Sequence, residues 1–275
     1  MPFFEVDARL ASACNTWLTA EEVTFLENAA ALKLDRSQVD RAWLWGKVTG
    51  AEDDYLVVAA QKKLQEEQDY PVVEFYYTTA GRFALKPLPS SALPAAVKRN
   101  TPLTGNPTTE LLAATEAEDA DEESKEDAPL GSPAFLEADL LGVIVREVHQ
   151  ATSVVPKGAF LADPTHRVVR NRNFSGLSAA VASATSGYCH FREPADPMKA
   201  RDADGLLRPK DFLDPIDTTH PPGAWSVQLD PCEQRAVIRS LMYPGYTFYH
   251  DVCTSNFGGV YVGDGSKNDD IAFML

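Results

Sequence analysis

Trp225-Ser-Val-Gln-Leu229, Asp230-Pro-Cys-Glu233, Arg235-Ala-Val-Ile-Arg-Ser-Leu241, Tyr246-Thr-Phe-Tyr-His250 and Gly259-Val-Tyr-Val-Gly263 follow one another near the C-terminal end of the chain. The apolar runs are short, rich in β-branched and aromatic residues, and separated by turn-forming residues, which predicts consecutive strands. The first two runs flank the Asp-Pro turn and predict a hairpin.

Working outward, the first half repeats the signal. Trp43-Leu-Trp-Gly-Lys-Val-Thr49, Tyr55-Leu-Val-Val-Ala-Ala60 and Val72-Val-Glu-Phe-Tyr-Tyr-Thr78 predict a three-stranded antiparallel meander, to which Arg82-Phe-Ala-Leu85 adds a short fourth strand. Ahead of it, Thr19-Ala-Glu-Glu22 fits a capping box, and Val23, Leu26, Ala30 and Leu34 recur at helical spacing. A short helix is expected around residues 5–14. Further helices are expected over Ala134–Ala151, despite Gly142, and over the small residues Leu177–Thr185.

Between the halves the composition changes. Glu116 to Asp127 holds eight acids and one base, Lys125. No aromatic residue lies between Ala84 and Ala134, while seven prolines do. Such a stretch buries too little apolar surface to offset its ordering entropy. The expectation is three parts: N-terminal helices and β meander over 1–103, an acidic disordered linker over 104–133, and a C-terminal α+β region over 134–275 that shares one core with 1–103. The fold class is α+β, an antiparallel β core with peripheral helices. The acid run either solvates or docks a basic partner.

The 275 residues carry a net charge of −15 with 44% hydrophobic residues, an ordinary globular composition. That charge argues against nucleic acid and anionic membrane as partners. The N-terminus lacks the apolar core of a signal peptide, and the longest aliphatic run, Leu140–Val145, is too short to cross a bilayer. Synthesis in the cytoplasm is the expectation.

Chemistry is sparse. His149, His166, His190, His220 and His250 form no metal-ligand spacing, and the four cysteines, Cys14, Cys189, Cys232 and Cys253, form no Cys-x-x-Cys pair. Gly258 and Gly263 lack the lysine of a phosphate loop, with Asp264 in its place, and are expected to form a tight turn. No nucleophile elbow is present. The expectation is no catalytic residue, no cofactor and no metal, hence no enzyme. What remains is aromatic density: eight of the 26 aromatic residues follow His220. Trp225, Tyr243, Tyr246, Phe248, Tyr249 and Tyr261 are candidates for a protein–protein interface, against the reading that they fill the core of their own subunit.

Certain segments carry a family resemblance. Trp45-Gly46 and Asp54-Tyr55 stand in the first half. Val155-Pro-Lys-Gly-Ala159, Asn173-Phe-Ser-Gly-Leu-Ser178, His190-Phe-Arg-Glu-Pro194, Asp211-Phe-Leu-Asp214 and Gly223-Ala-Trp-Ser226 follow in order. Arg239-Ser-Leu-Met-Tyr-Pro-Gly-Tyr-Thr-Phe-Tyr-His250, Asn256-Phe-Gly-Gly-Val-Tyr-Val-Gly263 and the Phe273-Met-Leu275 end complete the series. Together they resemble the radial spoke head family of motile cilia and flagella, and within it the protein 9 branch. Tyr243 departs from the family, which often has Trp there, and the acidic stretch is longer. The resemblance implies a non-catalytic structural subunit of the axonemal spoke head. It also implies other spoke head subunits as partners, resembling radial spoke head proteins 4 and 6, with contact to the central pair and regulation of dynein-driven motility. The alternative is a cytosolic peptide- or small-molecule-binding module.

Overall fold

Val39–Val48 forms the longest strand, and both halves of the chain meet on it. The computed structural model describes residues 4–5, 18–63, 69–79, 84–91, 101–111, 135–163, 167–194, 212–232 and 234–273. In chain order the first half has β1 (Phe4–Glu5), α1 (Ala20–Lys33), β2 (Val39–Val48), β3 (Tyr55–Lys62), β4 (Val73–Thr79), β5 (Lys86–Pro87) and β6 (Glu110–Leu111). Then come β7 (Phe135–Leu136), α2 (Glu137–Thr152), β8 (Val154–Pro156), β9 (Phe160–Ala162), β10 (Val168–Arg170), α3 (Ala179–Ala182) and β11 (Tyr188–His190). The C-terminal meander is β12 (Trp225–Leu229), β13 (Arg235–Ser240), β14 (Tyr246–Asp251) and β15 (Phe257–Gly263).

The architecture is α+β. Among the described residues one nine-stranded sheet runs β12-β13-β14-β15-β2-β3-β4-β5, with β1 also on β2. Each meander is antiparallel, and the join between them is parallel: Tyr261, Val262 and Gly263 face Gly46, Lys47 and Val48. The sheet is therefore mixed.

Gly46 is required at that join. A Cβ there would lie 2.1 Å from the carbonyl oxygen of Tyr261, a backbone atom that cannot swing aside. Next to it, Trp45 is the extra residue of a β-bulge, because Leu44 pairs with Val58 and Gly46 with Val57. The bulge turns the Trp45 ring onto Tyr261 (5.4 Å between centroids) and Phe75 (6.1 Å).

Both faces of the sheet are covered, which explains the unbroken apolar run of β3. On one face Tyr55, Val57, Ala59 and Trp45 pack with Leu141, Ile144, Val145 and Val148 of α2. On the other, Leu56, Val58, Ala60 and Leu44 pack with Leu26, Ala30 and Leu34 of and beside α1. The predicted capping box of α1 is present: Thr19 Oγ1 accepts from the Glu22 amide (3.2 Å), and Glu22 accepts from the Thr19 amide (2.7 Å). Gly142, the weak point of α2 in sequence, lets the Pro89 carbonyl pass where a Cβ would stand at 2.5 Å. Arg146, one turn on, donates to the Pro89 and Ser91 carbonyls.

Residues 104–111, assigned to the acidic linker from sequence, are instead built into the fold. Glu137 is fully buried at the start of α2 and its carboxylate accepts from Tyr55 Oη (2.7 Å), Thr104 Oγ1 (2.5 Å) and the Gly105 amide (2.8 Å). A buried carboxylate holds its place when such donors satisfy it, and local composition does not reveal the distant partner. Burial, with Glu137 next, pushes the Tyr55 phenol well above its ordinary range, so it stays a donor. Beyond this knot β6 pairs with β7, Leu111 facing Phe135, so the chain leaves and re-enters the fold at one stem. Residues 112–133, with the acid run, lie outside the described residues, as do residues 6–14 of the expected 5–14 helix, whose first residue Glu5 is strand, and Arg82-Phe83 of the expected fourth strand. Gly258 and Gly263 are strand residues of β15 rather than a turn; the turn follows at Gly265, with φ +82°. None of Cys189, Cys232 and Cys253 forms a disulfide.

Three outcomes are expected in denaturant unfolding. Gly46→Ala loses about 3 kcal/mol or more, because only backbone movement relieves the clash. Glu137→Ala loses about 2–4 kcal/mol by stranding three buried donors. Deleting 113–130 changes stability by less than about 1 kcal/mol, since the β6–β7 stem closes the remaining short loop.

Candidate functional site

The six aromatic candidates are placed mainly in the core of this subunit. Phe248 and Tyr261 are about 1% exposed, Tyr249 is wholly buried, and Tyr243 and Tyr246 are buried as well. Tyr246, Phe248 and Tyr261 point to the α2 face and Tyr249 to the α1 face, as alternation along β14 and β15 requires. Each has an internal task. Tyr261 Oη accepts from the Gly265 amide (2.8 Å), Phe248 sits edge-on to Tyr188 (6.0 Å), and the Arg235 guanidinium lies 5.2 Å over Tyr249. Five of the six are therefore buried within this chain, the arrangement expected of rings that fill the core of their own subunit.

Trp225 differs. It opens β12, is half-buried, lies edge-on to Tyr246 (6.2 Å) and His190 (5.8 Å), and donates from Nε1 to Thr219 Oγ1 (3.2 Å). It marks the end of the sheet. The flanking bonds Leu241 N–H to Ala224 O and Asp230 N–H to Arg235 O fix the phase of the β12–β13 ladder. By alternation the backbone groups of Trp225, Val227 and Leu229 then face away from β13. These groups have no hydrogen-bond partner among the described residues. The opposite edge, β5, carries Lys86 and Pro87, with Pro89 beyond, the residues that discourage a further strand. β12 reads Trp-Ser-Val-Gln-Leu, with no proline and no charge. Among the described residues, one edge carries strand-discouraging residues and the other has no pairing strand.

A second concavity lies on the α2 face. β2 and β15 form its floor, the end of α2 and β8 one wall, and Phe160 and Phe191 another, enclosing about 160 Å³. Gly259, between Phe257 and Tyr261, adds no side chain to that floor. Phe160 and Phe191 stack at 4.3 Å. Arg41, on the lining, lies 5.5 Å over the Trp43 ring, and Arg170 lies 5.6 Å over the ring of Phe257, a lining residue. These residues come from several separated segments, and no local pattern in the sequence joins them.

Titratable groups near these surfaces are tuned by burial. His149, edge-on to Phe75 (5.1 Å), is pulled down to about 4 by loss of solvent. His190 is pulled down to about 4 by burial first and then Arg192, against the opposing pull of Asp214. No group of three or more His, Cys, Asp or Glu side chains among the described residues is placed to hold a metal ion.

No protein-family model matches the chain. Three curated relatives are similar over nearly its whole length. Radial spoke head protein 9 homolog of Homo sapiens is 32% identical over 284 residues, 97% of this chain and 96% of the relative. The proteins of the same name from Danio rerio and Bos taurus are 31% and 32% identical over the same shares.

Two outcomes follow. Tyr246→Ala and Tyr261→Ala each destabilise the isolated protein by about 3–5 kcal/mol in denaturant unfolding. Both histidines have folded pKa values near 4, below the unfolded value of about 6.5. The unfolded chain then binds more protons between these limits. Stability is full above about pH 6.5 and falls as pH drops toward 4, read by thermal melts; His149→Phe flattens the slope.

Proposed function

The chain belongs to the radial spoke head protein 9 family, and we propose that it is a non-catalytic structural subunit of the axonemal radial spoke head. The observation that carries this reading is the end-to-end similarity, 97% of this chain against 96% of the human relative. The reading places the protein in the axoneme of a motile cilium or flagellum after synthesis in the cytoplasm. There it helps the spoke contact the central pair and pass regulation to the dynein motors.

The partners proposed are other spoke head subunits, resembling radial spoke head proteins 4 and 6, and the open β12 edge is the proposed meeting point. An extended segment of a partner can add a strand there through the outward groups of Trp225, Val227 and Leu229, main-chain bonds supplying affinity. Residues 1–103 and 134–275 are proposed to fold as one unit, since the parallel join buries both meanders in shared clusters. The aromatic cavity favours a second reading, a cytosolic peptide- or small-molecule-binding module.

Co-sedimentation with detergent-extracted axonemes lacking the endogenous subunit separates the two. The wild-type chain is expected in the pellet. Val227→Pro removes one outward donor without touching the β13 ladder. It should keep its circular dichroism and stay in the supernatant. A wild-type chain that stays in the supernatant rejects the spoke reading. A Val227→Pro chain that pellets normally rejects only the edge.

A further inference from the structure

We propose that the cleft between β2, β15 and the Phe160/Phe191 pair binds an acidic peptide segment of another protein, one aromatic ring entering the cavity and flanking carboxylates pairing with Arg41 and Arg170. The inference does not depend on the spoke reading or on the β12 edge, which lies at the far end of the sheet.

Size comes first. The cavity holds about 160 Å³, close to an engineered cavity of about 150 Å³ that binds benzene. It suits one ring and no more. Trp43, Phe160, Phe191 and Phe257 line it, so a ring meets aromatic edges and faces.

Charge gives the rest of the occupant. The chain carries −15 overall, yet two exposed guanidiniums, Arg41 on the cleft lining and Arg170 over the lining residue Phe257, have no carboxylate partner among the described residues. Arg170 Nη2 donates at 3.4 Å to the Ser255 carbonyl. Arg41 is close enough to Arg170 to oppose its charge. Two like charges held together above aromatic faces form a receptor for anions, because guanidiniums pair carboxylates in a fixed fork geometry. Asp69, Glu193 and Asp214 act on Tyr70, whose ring lies 6.4 Å from that of Phe191. The carboxylates of the peptide are assigned to Arg41 and Arg170, guanidiniums without a carboxylate partner among the described residues.

The occupant is a separate chain. Glu116 to Asp127 of this protein supplies acids, but no aromatic residue lies between Ala84 and Ala134. It can meet the rim and cannot fill the cavity.

The probe is a fluorescein-labelled peptide, Glu-Glu-Phe-Glu-Glu, titrated by anisotropy with the full-length chain at about 50 mM salt, where surface charges are weakly screened. Saturable binding is expected. It should fall at least tenfold with Arg41→Gln/Arg170→Gln, at least tenfold when the peptide Phe becomes Ala, and steeply with added salt. Both arginines are exposed, so the double variant should melt at the wild-type temperature, which separates lost binding from lost folding. No saturable binding of the wild-type chain overturns the proposal, as does equal binding of the Gln-for-Glu peptide. Unchanged binding by the double variant overturns it too. A tenfold gain on deleting 113–130 overturns the separate-chain assignment and makes the acid run the rim's own occupant.

Discussion

Three residue pairs hold the molecule together: Gly46, Lys47 and Val48 of β2 against Tyr261, Val262 and Gly263 of β15. They join strands separated by more than half the chain, and everything on either side is a local meander. The approach is tight enough that position 46 tolerates no side chain. The Trp45 bulge beside it drives an indole onto Tyr261 just where the two meanders meet. Without this join the halves have five and four strands and one half-formed core each, a marginal structure by itself.

With the join made, other features become intelligible. Each helix covers a face of a sheet too wide for either half, so α2 packs on strands of both meanders. Glu137 at the start of α2 ties β3 to the 104–109 loop through three hydrogen bonds, setting where the chain departs for its acidic segment. Lys47, on the opposite side from Val48, reaches Glu22 of α1 (3.4 Å) and Asp54 (2.9 Å), so the same strand anchors the second layer.

The distribution of aromatics has a bearing on assembly. They are concentrated near the C-terminus because β14 and β15 lie inside a two-faced sheet, where large rings fill space above and below. The surfaces proposed for interaction lie instead where pairing stops among the described residues, at the β12 edge, and at the aromatic cleft on the α2 face. A structural subunit needs more than one attachment point, and the edge and the cleft are on different parts of the surface. Backbone pairing at the edge reads strand geometry, while a ring and carboxylates at the cleft read side chains.

The sequence by itself determined much of the local structure. The strands of both meanders, the Thr19 capping box, the α2 helix and the α+β class follow from periodicity and cap chemistry, which act over a few residues. It also carried the family resemblance, in fragments that follow one another in order along the chain. Only the tertiary structure decided the parallel sense of the β2–β15 join, the place of residues 104–111 around Glu137, and the burial of Tyr243, Tyr246, Phe248, Tyr249 and Tyr261. It alone brought Arg41, Phe191 and Phe257 to one cleft and Arg170 onto the Phe257 ring. The physical reason is common to all of these. Strand pairing, burial of a ring and pairing of a carboxylate depend on residues distant in the chain, and a short apolar strand reads the same whether its aromatics face a helix of its own subunit or a partner.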